Sequence, residues 1–303
     1  MSAKHKLNDR PALWTATALA RNVLAIDIPI IQNNSWSMRS LLSSDRHIDA
    51  IGSDHKMQKR HLEEVQAGGG FVVDNGDFFD AISSRNDRRG GKTTTRSELT
   101  GPGIPYFNRL IEMGADFVEP YAESWAMFGD GNHEESISKY SELSLMSMVV
   151  QAIRGKTGQN IHYGGYSGYV FFRFRSKGGV RTITLYYEHG SGGGGVMTMD
   201  ILNHKRKSIW LPDPDIIVTG HTHDYFAYPQ PRQRVTPNGR IYTDHQWHIK
   251  IPSYCDGRTD GFSGWEARSG MPPKPIGAVW LDFSFNRSLG LAGEVEFKPS
   301  LAN

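Results

Sequence analysis

The sequence predicts an α/β fold in which helices alternate with short buried strands and polar residues gather where the strands end. Three observations carry that expectation. Apolar runs at residues 71–73, 124–128 and 216–218 suit buried strands, and each leads straight into a turn bearing Asp, Asn or His. Stretches rich in helix formers at 54–67 and 134–154 lie between such runs, the strand–helix–strand order of a parallel sheet. Residues 166–175 and 180–188 alternate apolar with polar around Lys177-Gly178-Gly179, which suits a hairpin in a second sheet.

Taken in order, residues 1–36 are expected to be an N-terminal extension with a short helix at 11–23, limited by Pro11 and Pro29. Residues 37–44 read as a strand delivering Asp45 and His47. Alternate strand residues share a face, so a carboxylate and an imidazole two apart would aim at one point. Asp54 is placed to cap the helix at 54–67, and Gly68-Gly69-Gly70 ends it. Residues 83–103 are polar, Gly-rich and basic, and form either a solvated loop or a flap that contacts substrate phosphates through Arg88 and Arg89. A helix is expected over 104–123, one long helix over 134–154, and another over 198–210 ending at Pro212. Later strands are clearest at 241–243 and 278–283. The motifs are spread from Asp45 to His223, so residues 37–303 are expected to form a single domain.

Composition narrows the class. Lys plus Arg number 34 against 32 acidic residues, a net charge of +2 that argues neither for nor against a polyanionic partner. Cys255 is the one cysteine, which excludes an internal disulfide and a thiolate metal cage. Residues 14–31 are apolar but broken by Arg21 and Asp27, so neither a signal peptide nor a membrane span is expected, and the protein is read as cytoplasmic. Gly91-Lys92-Thr93 and Gly155-Lys156-Thr157 imitate phosphate-binding loops. Asn86 and Val150 stand where such a loop needs its first glycine, so both are rejected.

The chemistry lies in Asp45, His47, Asp77, Asn132, His189, His221 and His223, which offer two carboxylates, one amide oxygen and four imidazoles. That set suits Mn²⁺, Fe²⁺ or Zn²⁺ and is too rich in nitrogen for Ca²⁺ or Mg²⁺ alone. Seven donors are too many for one tetrahedral ion and fit two ions sharing a bridge. His162, His204, His245 and His248 have no motif around them and are read as structural. His55 and His61 are expected to be solvated on the first helix.

In order along the chain, Asp45-Arg46-His47, Gly76-Asp77-Phe78-Phe79-Asp80, Gly131-Asn132-His133-Glu134, His189 and Gly220-His221-Thr222-His223 resemble the pattern of the calcineurin-like metallophosphoesterases. The resemblance spans about residues 38–225 and fills every metal-ligand position. It implies a four-layer αββα sandwich of two mixed β-sheets flanked by helices. It implies a centre of two divalent transition-metal ions, Mn²⁺ first, with Fe²⁺, Zn²⁺ or Ni²⁺ also suited. One ion would be held by Asp45, His47 and His223 and the other by Asn132, His189 and His221, with Asp77 between them. His133 would protonate or hydrogen-bond the leaving oxygen and Asp80 would orient His133, while a hydroxide bridging the metals attacks phosphorus in line.

Departures from the pattern narrow the substrate. Protein serine/threonine phosphatases of this superfamily carry arginine where Ala81 and Gly131 stand, and purple acid phosphatases carry a metal-binding tyrosine where Asp80 stands. The remaining likeness is to phosphodiesterase and nuclease branches, which implies a phosphodiester substrate of the nucleotide or nucleic-acid class. A broad phosphomonoesterase and a catalytically silent scaffold are the alternatives.

Overall fold

The computed structural model describes residues 13–31, 33–81, 95–99, 103, 105–193, 195, 197–258, 266, 270–286 and 294–303. Arg88 and Arg89, the candidate substrate-binding pair, lie outside the described residues, as does most of the basic stretch around them.

A six-stranded sheet runs in the order β13(Glu294–Ala302), β12(Ala278–Asn286), β3(Ser37–Ser43), β4(Val72–Asp74), β5(Trp125–Gly129), β6(His162–Gly165). Strands β3 to β6 are parallel, and β12 and β13 extend the sheet antiparallel. A seven-stranded sheet runs β1(Thr15–Ala20), β2(Val23–Pro29), β7(Ser167–Ser176), β8(Gly179–Glu188), β9(Ile216–Thr219), β11(Ile241–Lys250), β10(Phe226–Val235) and is also mixed. The helices α1(His55–Gly68), α2(Tyr106–Val118), α3(Asn132–Ser141) and α4(Leu145–Thr157) follow β3, β4 and β5 in the chain, and α5(Ile201–Trp210) precedes β9.

Two apolar cores separate the layers. Leu24, Ile26, Phe172, Phe174, Ile183, Leu185, Val279 and Phe283 meet between the sheets. Leu62 and Val65 of α1, Leu110 of α2 and Val149 and Ile153 of α4 pack on the other face of the six-stranded sheet with Val72, Trp125 and Phe128. On the outer face of the seven-stranded sheet, Tyr186 and Ile217 meet Leu211, and Tyr186 packs edge-on against Trp210 at the end of α5. Helices therefore cover both sheets, and the αββα layering matches the expectation. Each buried Phe or Leu contributes roughly 1.5–3 kcal/mol, so the inter-sheet core is the main adhesive between the halves.

The structure corrects four local expectations. The helix expected over 11–23 is a hairpin: β1 pairs antiparallel with β2, and β2 pairs in parallel with β7. Thr15, Thr17 and Val23 favour strand, and pairing with β7 puts Leu24, Ile26 and Ile28 in the core, which outweighs the local helix preference of the alanines. The long helix over 134–154 is two, because Glu142 takes a left-handed φ of 53° and ends α3. The polar run 138–142 offers nothing to continue the buried stripe that Leu145, Met146, Val149, Val150 and Ile153 form on α4. Residues 162–165, with no strand expected, close the parallel sheet as β6. His61 is buried rather than solvated: its Nδ1 lies 2.9 Å from the Tyr254 hydroxyl, and Trp280 packs edge-on against it.

His61 makes one testable difference to stability. Burial, then Arg60 and Arg46, push its pKa down to about 4, against opposing pulls from Glu64 and Asp54. The folded chain thus prefers neutral His61, and below the ordinary pKa of ~6.5 the unfolded chain binds the extra proton. Its contribution is intact above ~6.5 and is lost as pH falls towards about 4. Replacing His61→Phe is expected to flatten this part of the acid limb in a plot of Tm against pH. An unchanged limb would show that His61 does not control it.

Candidate metal centre

Strand ends place every donor. Asp45 and His47 follow β3, Asp77 follows β4, Asn132 follows β5, His189 follows β8, and His221 and His223 follow β9. Both sheets thus send their parallel-strand carboxyl ends to one cleft, where α/β sheets bind ligands. The convergence of Asp45 and His47 does not come from strand alternation, because β3 ends at Ser43. Both residues take positive φ, 50° and 44°, as do Asp77 at 50°, His221 at 73° and His223 at 59°. Left-handed backbone costs a residue with a side chain about 1–3 kcal/mol, so strain is concentrated at five donor positions.

Six of the seven candidate donors fall into two clusters, and His47, Asp80 and His133 form a third group. Asp45, His47 and His223 bring ligand atoms within 4.8 Å of one another, and so do Asp77, His189 and His221. Asp45 Oδ1 lies 3.3 Å from His223 Nε2 and 3.9 Å from both His47 Nε2 and His189 Nε2. Asp77 Oδ2 lies 3.0 Å from His189 Nε2. Asp45 Oδ1, His47 Nδ1 and Asn132 Oδ1 are buried without a hydrogen-bond partner. Buried polar atoms are rarely left so, and unpartnered donors on residues of these clusters are what bound cations would satisfy. The donor set therefore fits divalent transition metals.

Second contacts orient these donors. His189 Nδ1 donates to the Asn75 carbonyl at 2.8 Å, which turns Nε2 towards Asp77. Asp45 Oδ2 accepts the His221 amide at 2.9 Å, and Asp77 Oδ1 accepts the His133 amide at 3.0 Å in the first turn of α3, where the helix dipole favours a negative charge. Two glycines permit these approaches. A Cβ on Gly131 would lie 1.9 Å from Asp77 Oδ1, and one on Gly220 would lie 2.6 Å from Asp45 Oδ2.

Electrostatics follow from crowding buried carboxylates with imidazoles. Burial raises Asp45 and Asp77, but the nearby histidines reverse this and hold both carboxyls below their ordinary range. Burial lowers His189, yet Asp77 and Asp45 bring it up to about 10. His133 is likewise lowered by burial and raised to about 9 by Asp77 and Asp80. His47 falls to about 4 through burial and the neighbouring His133.

His133 stands beside both clusters, with Nε2 3.8 Å from Asp77 Oδ2. Its Nδ1 donates to the main-chain carbonyl of Asp80 at 2.5 Å, while the Asp80 carboxylate lies 3.4 Å from the same nitrogen and 3.7 Å from His47 Nδ1. The orienting hydrogen bond comes from the Asp80 backbone, a role no side-chain pattern announces. Arg96 of the basic stretch turns away from the site and holds the Ile48 and Ser53 carbonyls at 3.0 and 3.1 Å.

Three supporting residues escaped the sequence reading. Asp49 accepts the amides of Asp80 and Ala81 at 2.6 and 2.9 Å and so fixes the turn that presents the Asp80 carbonyl. Asn75 holds His189 through its carbonyl and reaches the Glu188 carbonyl through its side chain at 3.0 Å, tying the two sheets together. Glu134 collects the amides of Asp77, Phe79 and Gly131 at 3.1, 3.0 and 2.9 Å. Only Glu134 had a signal, as the acidic end of Gly131-Asn132-His133-Glu134. Glu134→Ala strands three buried amides and is expected to cost at least about 2–3 kcal/mol in urea denaturation. A loss under about 0.5 kcal/mol, the range of a surface change, would contradict that role.

Fold and donor set together define a four-layer α/β sandwich with a cluster of carboxylate, amide and imidazole donors at its strand ends. No protein-family model matches the chain, and no curated protein matches its sequence. Among solved structures it is similar to Vps29 from Entamoeba histolytica, complexed with zinc, at 12% identity and a TM-score of 0.33, covering 88% of this chain and 100% of that one. It is similar to GAP50, described as the anchor in the inner membrane complex of Plasmodium, at 12% identity and a TM-score of 0.43, covering 88% and 85%. A metallophosphoesterase from Sphaerobacter thermophilus matches at 15% identity and a TM-score of 0.30, covering 87% and 88%. Among the described residues no helix is long and apolar enough to cross a membrane.

Proposed function

We propose that this chain is a binuclear metal-dependent phosphodiesterase acting on nucleotides or nucleic acid. The observation that carries the metal-dependent hydrolase is the pair of adjacent donor clusters, Asp45 with His47 and His223 and Asp77 with His189 and His221, linked by Asp45 Oδ1 3.9 Å from His189 Nε2, with unpartnered buried donor atoms on Asp45, His47 and Asn132. Asp45, His47 and His223 would hold one ion and Asn132, His189 and His221 the other, with Asp77 shared. When bound, two such ions polarise a phosphoryl oxygen and lower the pKa of water towards ~7.

The chain's own groups do the rest. Asp77 and Asp45 set the negative charge that two cations would balance, and the left-handed turns hold those carboxylates in place before any substrate arrives. The Asp80 carbonyl occupies Nδ1 of His133, so Nε2 is the nitrogen left to hand a proton to the leaving oxygen. Asp49 and Glu134 fix the two turns that bring His133 and Asp77 together. Support for a diester comes from Ala81, Gly131 and Asp80 standing where the monoester branches carry other residues. Arg88 and Arg89 are proposed as contacts to a flanking phosphate.

The test is hydrolysis of an aryl phosphodiester and of its monoester with added Mn²⁺. Diester turnover that disappears with chelator and returns with the ion supports the proposal. Turnover of the monoester alone would make the protein a phosphomonoesterase. Failure to turn over either, with two ions bound, would leave a narrow substrate or the silent scaffold.

A further inference from the structure

Between the two donors Asp45 and His47 stands Arg46, whose side chain leaves the cleft and is wholly buried. Its Nε donates to Asp74 Oδ2 at 2.7 Å, Nη1 to Gln58 Oε1 at 2.9 Å and Nη2 to Ser43 Oγ at 2.9 Å. Its guanidinium lies 4.9 Å from the Trp125 ring centre and 5.0 Å from that of Tyr254. Asp74 is also wholly buried, and its Oδ1 accepts the Gly76 amide at 3.3 Å.

This pair joins two turns. One carries Asp45 and His47; the other runs from Asp74 through Asn75, whose carbonyl orients His189, to Asp77. Backbone bonds from Asp45 N to the Gly76 carbonyl at 2.9 Å and from His47 N to the Asp77 carbonyl at 3.1 Å run along the same seam. The backbone is left-handed on both sides of Arg46 and at Asp77, so the turns persist only where their surroundings over-determine them. A buried ion pair adds little net stability compared with apolar groups of the same volume, because desolvating both charges offsets their attraction. Its forked geometry, held by three hydrogen bonds and packed against the Trp125 and Tyr254 rings, is suited to fixing position.

We propose that Arg46, paired with Asp74, is a positioning residue that keeps the two ligand-bearing turns in register and thereby sets metal affinity. The inference rests on the two-metal reading of the site. It assigns the pair a role in metal binding separable from folding.

The experiment compares the full-length wild type with the Arg46→Met/Asp74→Leu double variant, in which no lone charge is left buried. Mn²⁺ binding is measured by titration calorimetry and bound ions by elemental mass spectrometry, alongside the Tm of chelator-treated protein. The expected result is a Tm within a few degrees of wild type and Mn²⁺ affinity weakened about 10–100-fold, the usual effect of losing a group that orients a ligand. Unchanged affinity overturns the inference, whatever happens to Tm. Should the double variant not fold, Arg46→Lys decides: it keeps the charge but loses the fork, so weaker Mn²⁺ binding supports the inference and wild-type binding overturns it. A wild-type chain that takes up no Mn²⁺ overturns the metal reading itself, and this inference with it.

Discussion

Asp77→Asn is expected to remove at least one of two bound ions and to lower diester turnover by more than about 100-fold, beyond the usual loss from a change outside the ligand set. Asp77 stands in the cluster with His189 and His221, 3.0 Å from His189 and 3.8 Å from His133, and is the proposed shared ligand. The substitution keeps shape and volume but removes the charge and one oxygen that can serve a cation. The Asp77 amide remains free to donate to Glu134, so the turn itself is expected to survive. Ion content by elemental mass spectrometry and turnover of an aryl diester, measured on one preparation, check both halves. Two ions retained with turnover within tenfold of wild type would sink the shared-ligand role.

His133→Ala is expected to cost about 10²–10⁴ in turnover, the range for a positioned general acid, while both ions stay bound. None of the seven proposed metal donors is lost in this variant, which separates it from Asp77→Asn. The loss should also depend on the leaving group. A nitrophenolate departs readily without a proton, whereas an alkoxide such as a ribose oxygen needs one, so the penalty should be larger for a nucleotide diester. An equal penalty for both leaving groups would place His133 in substrate orientation instead of proton transfer.

Much of the candidate site was legible in the chain because its candidate donors cluster in short local motifs at strand ends. Asp45, His47, Asp77, Asn132, His189, His221 and His223 carry donor types that make chemical sense only together. The helix capped by Asp54 was equally legible, since the Asp54 side chain takes the Met57 amide at 2.9 Å and Gly69 closes the far end in left-handed backbone. Capping is settled within four residues, so sequence suffices for it.

Other features depend on contacts the sequence does not display. Residues 11–23 read locally as a short helix, and only the pairing of β1 with β2 and of β2 with β7 makes residues 15–20 and 23–29 strands. Polar residues alone do not reveal that Glu142 turns left-handed, or that His61 is enclosed by Tyr254 and Trp280. Orientation within the centre is also tertiary: the Asp80 and Asn75 groups that set His133 and His189 are main-chain carbonyls, which every residue possesses.

By itself, then, the sequence determined which donor atoms exist, their order, and the strand ends from which they project, because those follow from side-chain chemistry and local periodicity. The tertiary structure decided how they face one another. Left-handed turns at Asp45, His47, Asp77, His221 and His223, and the buried Arg46–Asp74 pair beneath the first of them, depend on distant partners, such as Asp74, 28 residues from Arg46, and Asp45, 176 residues from His221. That distance is why the candidate donors converge only when the two sheets close on their common core.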